Sequence, residues 1–284
     1  MLIVTHSAGM GNQMFQYALA VYLRQRNRRV YLDVSLYEPP FARIHNGYDL
    51  YRAFRITDPL LDRETIRQLL DGRNARTIQQ LNYEPFEQIQ PMLDFDYDST
   101  NPADDWAIGF YGFWQYKQLL EPIEQLLRRA FTFDINAANS RTRALLPRLS
   151  DTESVCLHIR RGDYIGSGLE SVATPEYYAR AFQVIHERVR NPAWFIFTDE
   201  PDWVRGHLRL PAGTIVVDWN RGEDSWQDML LMSRCRHHVI PNSTFSWWGA
   251  WLAARPGQVV VQPETFIPGV DNGANYRWAG WVAV

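Results

Sequence analysis

The chain of 284 residues is 46% hydrophobic and 21% charged, ordinary globular usage that excludes disorder, a collagen and a simple coiled coil. A net charge of -3 speaks against a general nucleic-acid binder, so no nucleic-acid partner is expected. Two cysteines, Cys156 and Cys235, are too few for a disulfide framework or a zinc knuckle and read as buried free thiols.

Met1-Leu2-Ile3-Val4-Thr5 lacks the charged start and long apolar core of a signal peptide. No apolar run approaches the ~18 residues of a membrane span. The expectation is a cytoplasmic protein without a transmembrane segment, at most peripheral to a membrane. Leu2-Ile3-Val4 predicts a strand and Gly9-Met10-Gly11-Asn12 a turn. Met14, Phe15, Ala18, Leu19, Val21 and Leu23 then recur at helical spacing. Val30-Tyr31-Leu32 reads as a second strand. Between residues 37 and 101 periodicity is weak, with short helices expected at 66–70 and 78–81. Residues 121–131 form an amphipathic pattern with Pro122 in its first turn.

From Val155 onward the pattern alternates. Strands are predicted at 155–159, 194–197, 215–217, 237–240 and 259–261, and helices at 223–235 and 245–254. A further helix opens on Thr174 as cap with Pro175 at its first position, and ends near Arg190 before Pro192. Such alternation predicts an α/β fold with a parallel sheet covered on both faces. Ligands of such sheets bind beyond the carboxyl ends of the strands.

The first strand of this half runs into Arg160-Arg161-Gly162-Asp163-Tyr164. Permanently charged, fork-shaped guanidiniums at a strand end suit a phosphate or diphosphate; the competing reading is a surface ion pair of Arg161 with Asp163. After Phe197 comes Asp199, either an acceptor for a ribose or a guanine or a plain helix cap. After Ile240 come Pro241, Asn242, Ser243 and Thr244 and an aromatic helix. A helix start rich in small hydroxyls is an anion site, because its N–H groups and the positive helix end face outward; simple capping is the alternative. Asn12 and Gln13 open the first helix and can face a substrate. Gly9-Met10-Gly11 lacks the third glycine of a dinucleotide fingerprint.

Asp94-Phe95-Asp96-Tyr97-Asp98 holds two overlapping Asp-x-Asp units, which can grip a divalent metal or belong to a solvated loop. Pro91 and Pro102 bracket them and no apolar strand precedes them, which favours the loop. His237 and His238 are neighbours on a strand and face opposite ways, so they are no metal pair. The 11 tryptophans suit either core packing or sugar-binding faces.

Together these residues carry a resemblance. His158-Ile159-Arg160-Arg161-Gly162-Asp163-Tyr164 resembles the His-x-Arg-Arg-Gly-Asp-Tyr motif of the α-1,2-fucosyltransferases. The stretch from Gly9 to Ala18 resembles that family's N-terminal motif, and Gly112-Phe113-Trp114-Gln115 a looser one. The segment from Asp228 to Trp251, with Asn242-Ser243-Thr244-Phe245-Ser246-Trp247-Trp248-Gly249, resembles its C-terminal signature, with Pro241 and Thr244 as small departures.

The resemblance implies a GT-B-like enzyme of two Rossmann-like halves, expected here as 1–150 on the acceptor side and 151–284 on the donor side. It implies inverting transfer of fucose from GDP-β-L-fucose to O2 of a terminal β-galactoside, with no cofactor and no metal. Arg160 would stabilise the departing diphosphate, with Asn242, Ser243, Thr244 and Phe245 sharing its charge. His158 and Asp199 would contact the nucleoside, and Arg161 would serve structure. Gly11, Gln13, Tyr164 and Trp114 fall on the acceptor side, Asn12 orients the acceptor, and Asp163 ranks first as a base. Two other classes compete: a metal-assisted nucleotide-sugar transferase using the Asp94 run, and a non-catalytic glycan-binding module.

Overall fold

A short run of apolar residues starts the sheet in each half of the chain. The computed structural model describes residues 1–26, 29–40, 46–80, 84–94, 106–270 and 273–284. It divides into two units, Met1–Thr132 and Phe133–Val284.

The first unit contains β1 (Leu2–Thr5), α1 (Met10–Arg24), β2 (Val30–Asp33), α2 (Leu50–Ala53), β3 (Leu60–Leu61), α3 (Arg63–Leu70), β4 (Asn74–Gln80), α4 (Phe86–Leu93), β5 (Trp106–Gly112), α5 (Lys117–Leu120) and α6 (Glu124–Ala130). Among the described residues its five strands lie in the order β3-β2-β1-β5-β4, all pairs parallel. The turn expected at residues 9–12 is already the first turn of α1, which begins at Met10 behind Gly9. The predicted apolar stripe is buried there, including Met14, Phe15, Ala18, Leu19 and Leu23.

Two expectations in this unit need correction. Residues 78–81 were to be helical, but Asn74–Gln80 is an edge strand with Ile78 opposite Phe110. Its polar, solvent-facing sequence has no alternation to betray it, and pairing with β5 decides its conformation. The helix expected at 121–131 opens as a 3₁₀ turn, Glu121–Ile123, that contains Pro122, and is α-helical only from Glu124 to Ala130. Strand β5 is absent from the sequence reading altogether. It ends on Gly112, with φ of +145°, where a Cβ would lie 1.9 Å from the Gln80 carbonyl oxygen, so only glycine is accommodated.

The second unit contains α7 (Ser140–Asp151), β6 (Ser154–Ile159), α8 (Pro175–Arg188), β7 (Ala193–Thr198), α9 (Pro201–His207), β8 (Ile215–Val217), α10 (Trp226–Met232), β9 (His237–Val239), α11 (Thr244–Leu252), β10 (Val260–Gln262), α12 (Gly273–Tyr276) and β11 (Val282–Ala283). Its sheet order is β11-β10-β9-β6-β7-β8, again all parallel. The chain starts in the middle at β6, winds outward through β7 and β8, then returns beside β6 at β9. That is the doubly wound order, with its switch point between β6 and β9. Val155, Leu157 and Ile159 face α8 through Tyr177, Ala181 and Ile185. Cys156 faces the opposite layer with Leu145, Leu149, Leu231 and Met232. Because Leu145 and Leu149 lie in α7, residues 133–150 belong with this unit, whereas the sequence division falls at 150/151. Cys156 and Cys235 are buried free thiols.

Much of the aromatic excess is core. Trp247, Trp248 and Trp251 of α11 form one cluster with Trp278 and Trp281, linked pairwise at centroid distances of 5.1 to 6.0 Å. Trp247 Nε1 donates to the Tyr276 carbonyl at 2.8 Å. Among the described residues no helix is long and apolar enough to cross a membrane.

Candidate active site

Strand β6 is buried along its whole length and delivers Arg160 at its carboxyl end. A 3₁₀ turn, Gly162–Tyr164, follows and folds residue 163 back over residue 160. The Arg160 Nε and Nη2 atoms lie 2.8 and 2.7 Å from Asp163 Oδ1, and Nη1 lies 3.0 Å from Asp199 Oδ2. Arg161 points elsewhere: its guanidinium lies 3.6 Å from the Trp203 ring centroid, with Nε 3.5 Å from Glu200. The pair of Arg161 with Asp163 weighed from the sequence is therefore not formed; Arg160 takes that carboxylate.

Asp199 leaves the end of β7. Its Oδ1 accepts from the Arg161 backbone N–H at 3.0 Å, and it caps no helix, since Glu200 holds that position in α9. His158 is buried in β6, with Nδ1 2.7 Å from Ser246 Oγ. Burial, then the nearby Arg160 charge, push its imidazole down to about 3, so it is neutral near pH 7. Ser246, in the first turn of α11, was not among the expected site residues; its hydroxyl also donates to the Ser243 carbonyl at 3.4 Å.

At the exit of β9, Ser243 occupies the N-cap of α11 but makes no side-chain cap bond. The capping alternative thus has no hydrogen bond behind it. Asn242 is a brace: its Nδ2 donates to the Leu169 and Phe266 carbonyls at 3.2 and 3.0 Å, and its own carbonyl accepts from Tyr164 Oη at 2.8 Å. Tyr164 therefore ties the loop after β6 to the loop after β9. Thr244 and Phe245, in the first turn of α11, are half-buried, and the Phe245 ring lies 6.3 Å from that of His158. Within the resembling C-terminal segment, burial pushes the Asp228 carboxyl up to about 7, with Asn220 Nδ2 donating to it at 2.8 Å.

The residues expected on the acceptor side lie at the switch point of the first unit, between β1 and β5, apart from Tyr164. Gln13 is fully buried, and its amide is occupied by backbone: Nε2 donates to Ala8 and Gly47 carbonyls, and Oε1 accepts from the Asp49 N–H. Gln16, which the sequence reading passed over, likewise grips Ser7 and the Gly112 carbonyl. Gly11 is buried in α1. Trp114 is wholly buried against Phe110 and offers no face for a sugar. Asn12 is half-buried, its Oδ1 accepting from Gln115 Nε2 at 2.6 Å. Asp94 is ion-paired with Arg26 at 2.6 Å; Asp96 and Asp98 lie outside the described residues. Among the described residues no three His, Cys, Asp or Glu side chains gather as a metal cluster.

A doubly wound sheet with an oriented guanidinium and a helix start at its switch point defines an α/β protein whose strand ends are chemically suited to an anion. The profile described as glycosyl transferase family 11 matches residues 1–283. A protein of Escherichia coli named alpha-1,2-colitosyltransferase is 29% identical, covering 92% of this chain and 90% of its own. Galactoside alpha-(1,2)-fucosyltransferase 1 of Ateles belzebuth is 26% identical over 91% of this chain and 66% of its own. The fold is similar to that of fucosyltransferase NodZ from Bradyrhizobium, with a TM-score of 0.53 at 17% identity over 88% of this chain and 91% of that one. The chain belongs to glycosyl transferase family 11. It is an enzyme of glycosyl transfer with the GT-B-like fold of two Rossmann-like halves.

Proposed function

We propose that this chain transfers L-fucose from GDP-β-L-fucose to O2 of a terminal β-galactoside, with inversion and without a metal. The observation that supports it most is Arg160, held between Asp163 and Asp199 at the switch point where Ser243 starts α11. The names borne by relatives supply the sugar: one transfers fucose to a galactoside, another transfers colitose.

In this reading the unit Phe133–Val284 binds the donor and Met1–Thr132 serves the acceptor. The bond from fucose C1 to the β-phosphate oxygen breaks, and its electron pair leaves with GDP. Arg160 and the amides of Ser243, Thr244 and Phe245 carry that charge, which grows in the transition state. Neutral His158 contacts the nucleoside. The acceptor O2 attacks from the opposite face, oriented by Asn12, and its proton passes to Asp163, the exposed carboxylate beside Arg160. Guanidinium and helix N–H groups take the place a Mg²⁺ ion holds in other transferases. A cytoplasmic location belongs to the same reading.

The test is a screen of GDP-fucose and GDP-colitose against galactose-terminated oligosaccharides, with the linkage read by NMR. An α-1,2-fucosyl galactoside is expected. Transfer of colitose alone, or to another position, overturns the reading. Full loss of turnover in EDTA, restored by Mg²⁺ or Mn²⁺, overturns its metal-free part and returns attention to the Asp94 run.

A further inference from the structure

Asp199 lies against Arg160 and Arg161 through both oxygens, though only Oδ1 accepts a hydrogen bond. Oδ1 accepts from the Arg161 N–H and Oδ2 faces Arg160 Nη1, each at 3.0 Å. Oδ2 has no solvent access. Its backbone is pinned as well, because Arg221 Nη1 donates to the Asp199 carbonyl at 3.3 Å. The approach is close enough to dictate a neighbouring residue: a Cβ on Gly162 would lie 2.8 Å from Asp199 Oδ2, so Gly162 keeps the space that the carboxylate fills. The other partner of Arg160 differs. The Asp163 side chain is 51% exposed and that of Asp199 21%.

The two carboxylates offset the charge of Arg160 and so weaken its pull on a diphosphate. Asp163 covers the Nε–Nη2 edge of Arg160, so an anion can take that bidentate edge only if Asp163 yields it. Asp163 is the more exposed partner, open to an incoming anion, and water and salt screen its pair more.

We infer that Asp163 and Asp199 form an unequal clamp on Arg160. Asp199 is a positioning residue, the fixed arm that aims the guanidinium, and does not read the nucleoside. Asp163 is the exchangeable arm, which the donor diphosphate replaces. Exchange leaves Asp163 unpaired beside the reacting centre, where it is available to accept a proton. This rests on the reading of Arg160 as the diphosphate cation.

The two arms predict different outcomes for the same isosteric change. Asp199→Asn loosens the aim of Arg160 and lowers kcat at least ~10-fold, a fraction of the loss on removing a preorganised donor. Its affinity for guanosine, followed by ligand-observed NMR, stays within about twofold, because no nucleoside contact is lost. Asp163→Asn removes a competitor and tightens GDP binding about threefold or more by calorimetry, while kcat falls. Gly162→Ala displaces the Asp199 carboxylate without changing any charge and reproduces the loss of turnover. Weakened guanosine binding in Asp199→Asn overturns the fixed arm, as does full turnover in that variant. Unchanged or weaker GDP binding in Asp163→Asn overturns the exchangeable arm. Should Gly162→Ala fail to fold, the isosteric Asp199→Asn decides. Failure of the underlying reading is separately visible: Arg160→Lys would then keep both its turnover and its GDP affinity.

Discussion

The two units carry the same kind of sheet, yet their switch points are furnished oppositely. In Phe133–Val284 the strand ends hold charges: Arg160 lies within 3.0 Å of both Asp163 and Asp199. In Met1–Thr132 the switch point between β1 and β5 holds neutral amides, and Gln13 and Gln16, on α1, are occupied by backbone. A fixed cation can stabilise charge that grows during a reaction, whereas buried amides chiefly fix a loop. One fold thus supports two kinds of strand exit, and the side chains set the difference.

The sharpest way to break this contrast is Arg160→Lys. Lysine keeps the charge but loses the planar fork, so turnover should fall by at least ~100-fold, about 2.7 kcal/mol. Arg161→Lys, whose guanidinium stacks on Trp203, should lower the melting temperature and reduce turnover far less. Measuring kcat with saturating GDP-fucose, beside thermal melts, separates them; a dead Arg161→Lys with an active Arg160→Lys reverses the roles.

Ser243→Ala comes next. It should weaken GDP binding by about 1.5–3 kcal/mol, the range for a hydrogen bond to a charged group. Stability should barely change, since Ser243 makes no side-chain cap bond. A calorimetric titration that finds GDP affinity intact rejects the phosphate role.

Gln13→Ala should show the opposite profile. It orphans the buried Asp49 N–H, at about 1–3 kcal/mol for each unsatisfied group, and should leave guanosine and GDP affinity as they were. A GDP affinity that fell with the melting temperature held would erase the distinction between the units.

The smallest effect per group is acid destabilisation. His6, His158 and His238 are each pushed down to about 3, chiefly by burial. Unfolded imidazoles titrate near ~6.5, so the stability these groups contribute is complete above that pH. It is lost as pH falls from there toward about 3, because only the unfolded chain takes the proton. Each costs about 1.4 kcal/mol at pH 5.5. One lies in the first unit and two in the second, so His6→Phe should remove a smaller share of the acid loss than His158→Phe and His238→Phe together. Denaturant titrations at pH 7.5 and pH 5.5 measure this.

Sequence and structure agree best where burial is two-sided. The runs around Val155 and Trp194 are continuous and apolar because β6 and β7 lie between two helical layers, and Thr174 announces α8 through a cap that forms, its Oγ1 accepting from the Tyr177 N–H at 3.3 Å. Strand β4 is illegible because its seven residues are mostly exposed and only pairing with β5 makes them extended. The choice of Arg160 over Arg161 as partner of Asp163 depends on a 3₁₀ turn, a matter of backbone path that residue types leave open. Trp114 and Gln13 mislead for a related reason: chemistry suited to a sugar is equally suited to filling and bracing an interior.

The indole cluster gives the second unit an optical signature. Trp247 and Trp251 meet Trp278, Trp247 meets Trp281, and Trp248 packs on Trp247 and Trp251, edge-to-face or tilted, at separations where excited states couple and excitation energy migrates from ring to ring. Trp278 and Trp281 belong to the C-terminal tail, while Trp247 sits in the helix that Ser243 begins. Detachment of the tail therefore changes the near-ultraviolet dichroism and the emission of the whole cluster at once, and the protein carries its own fluorescent reporter of how firmly α11 is held.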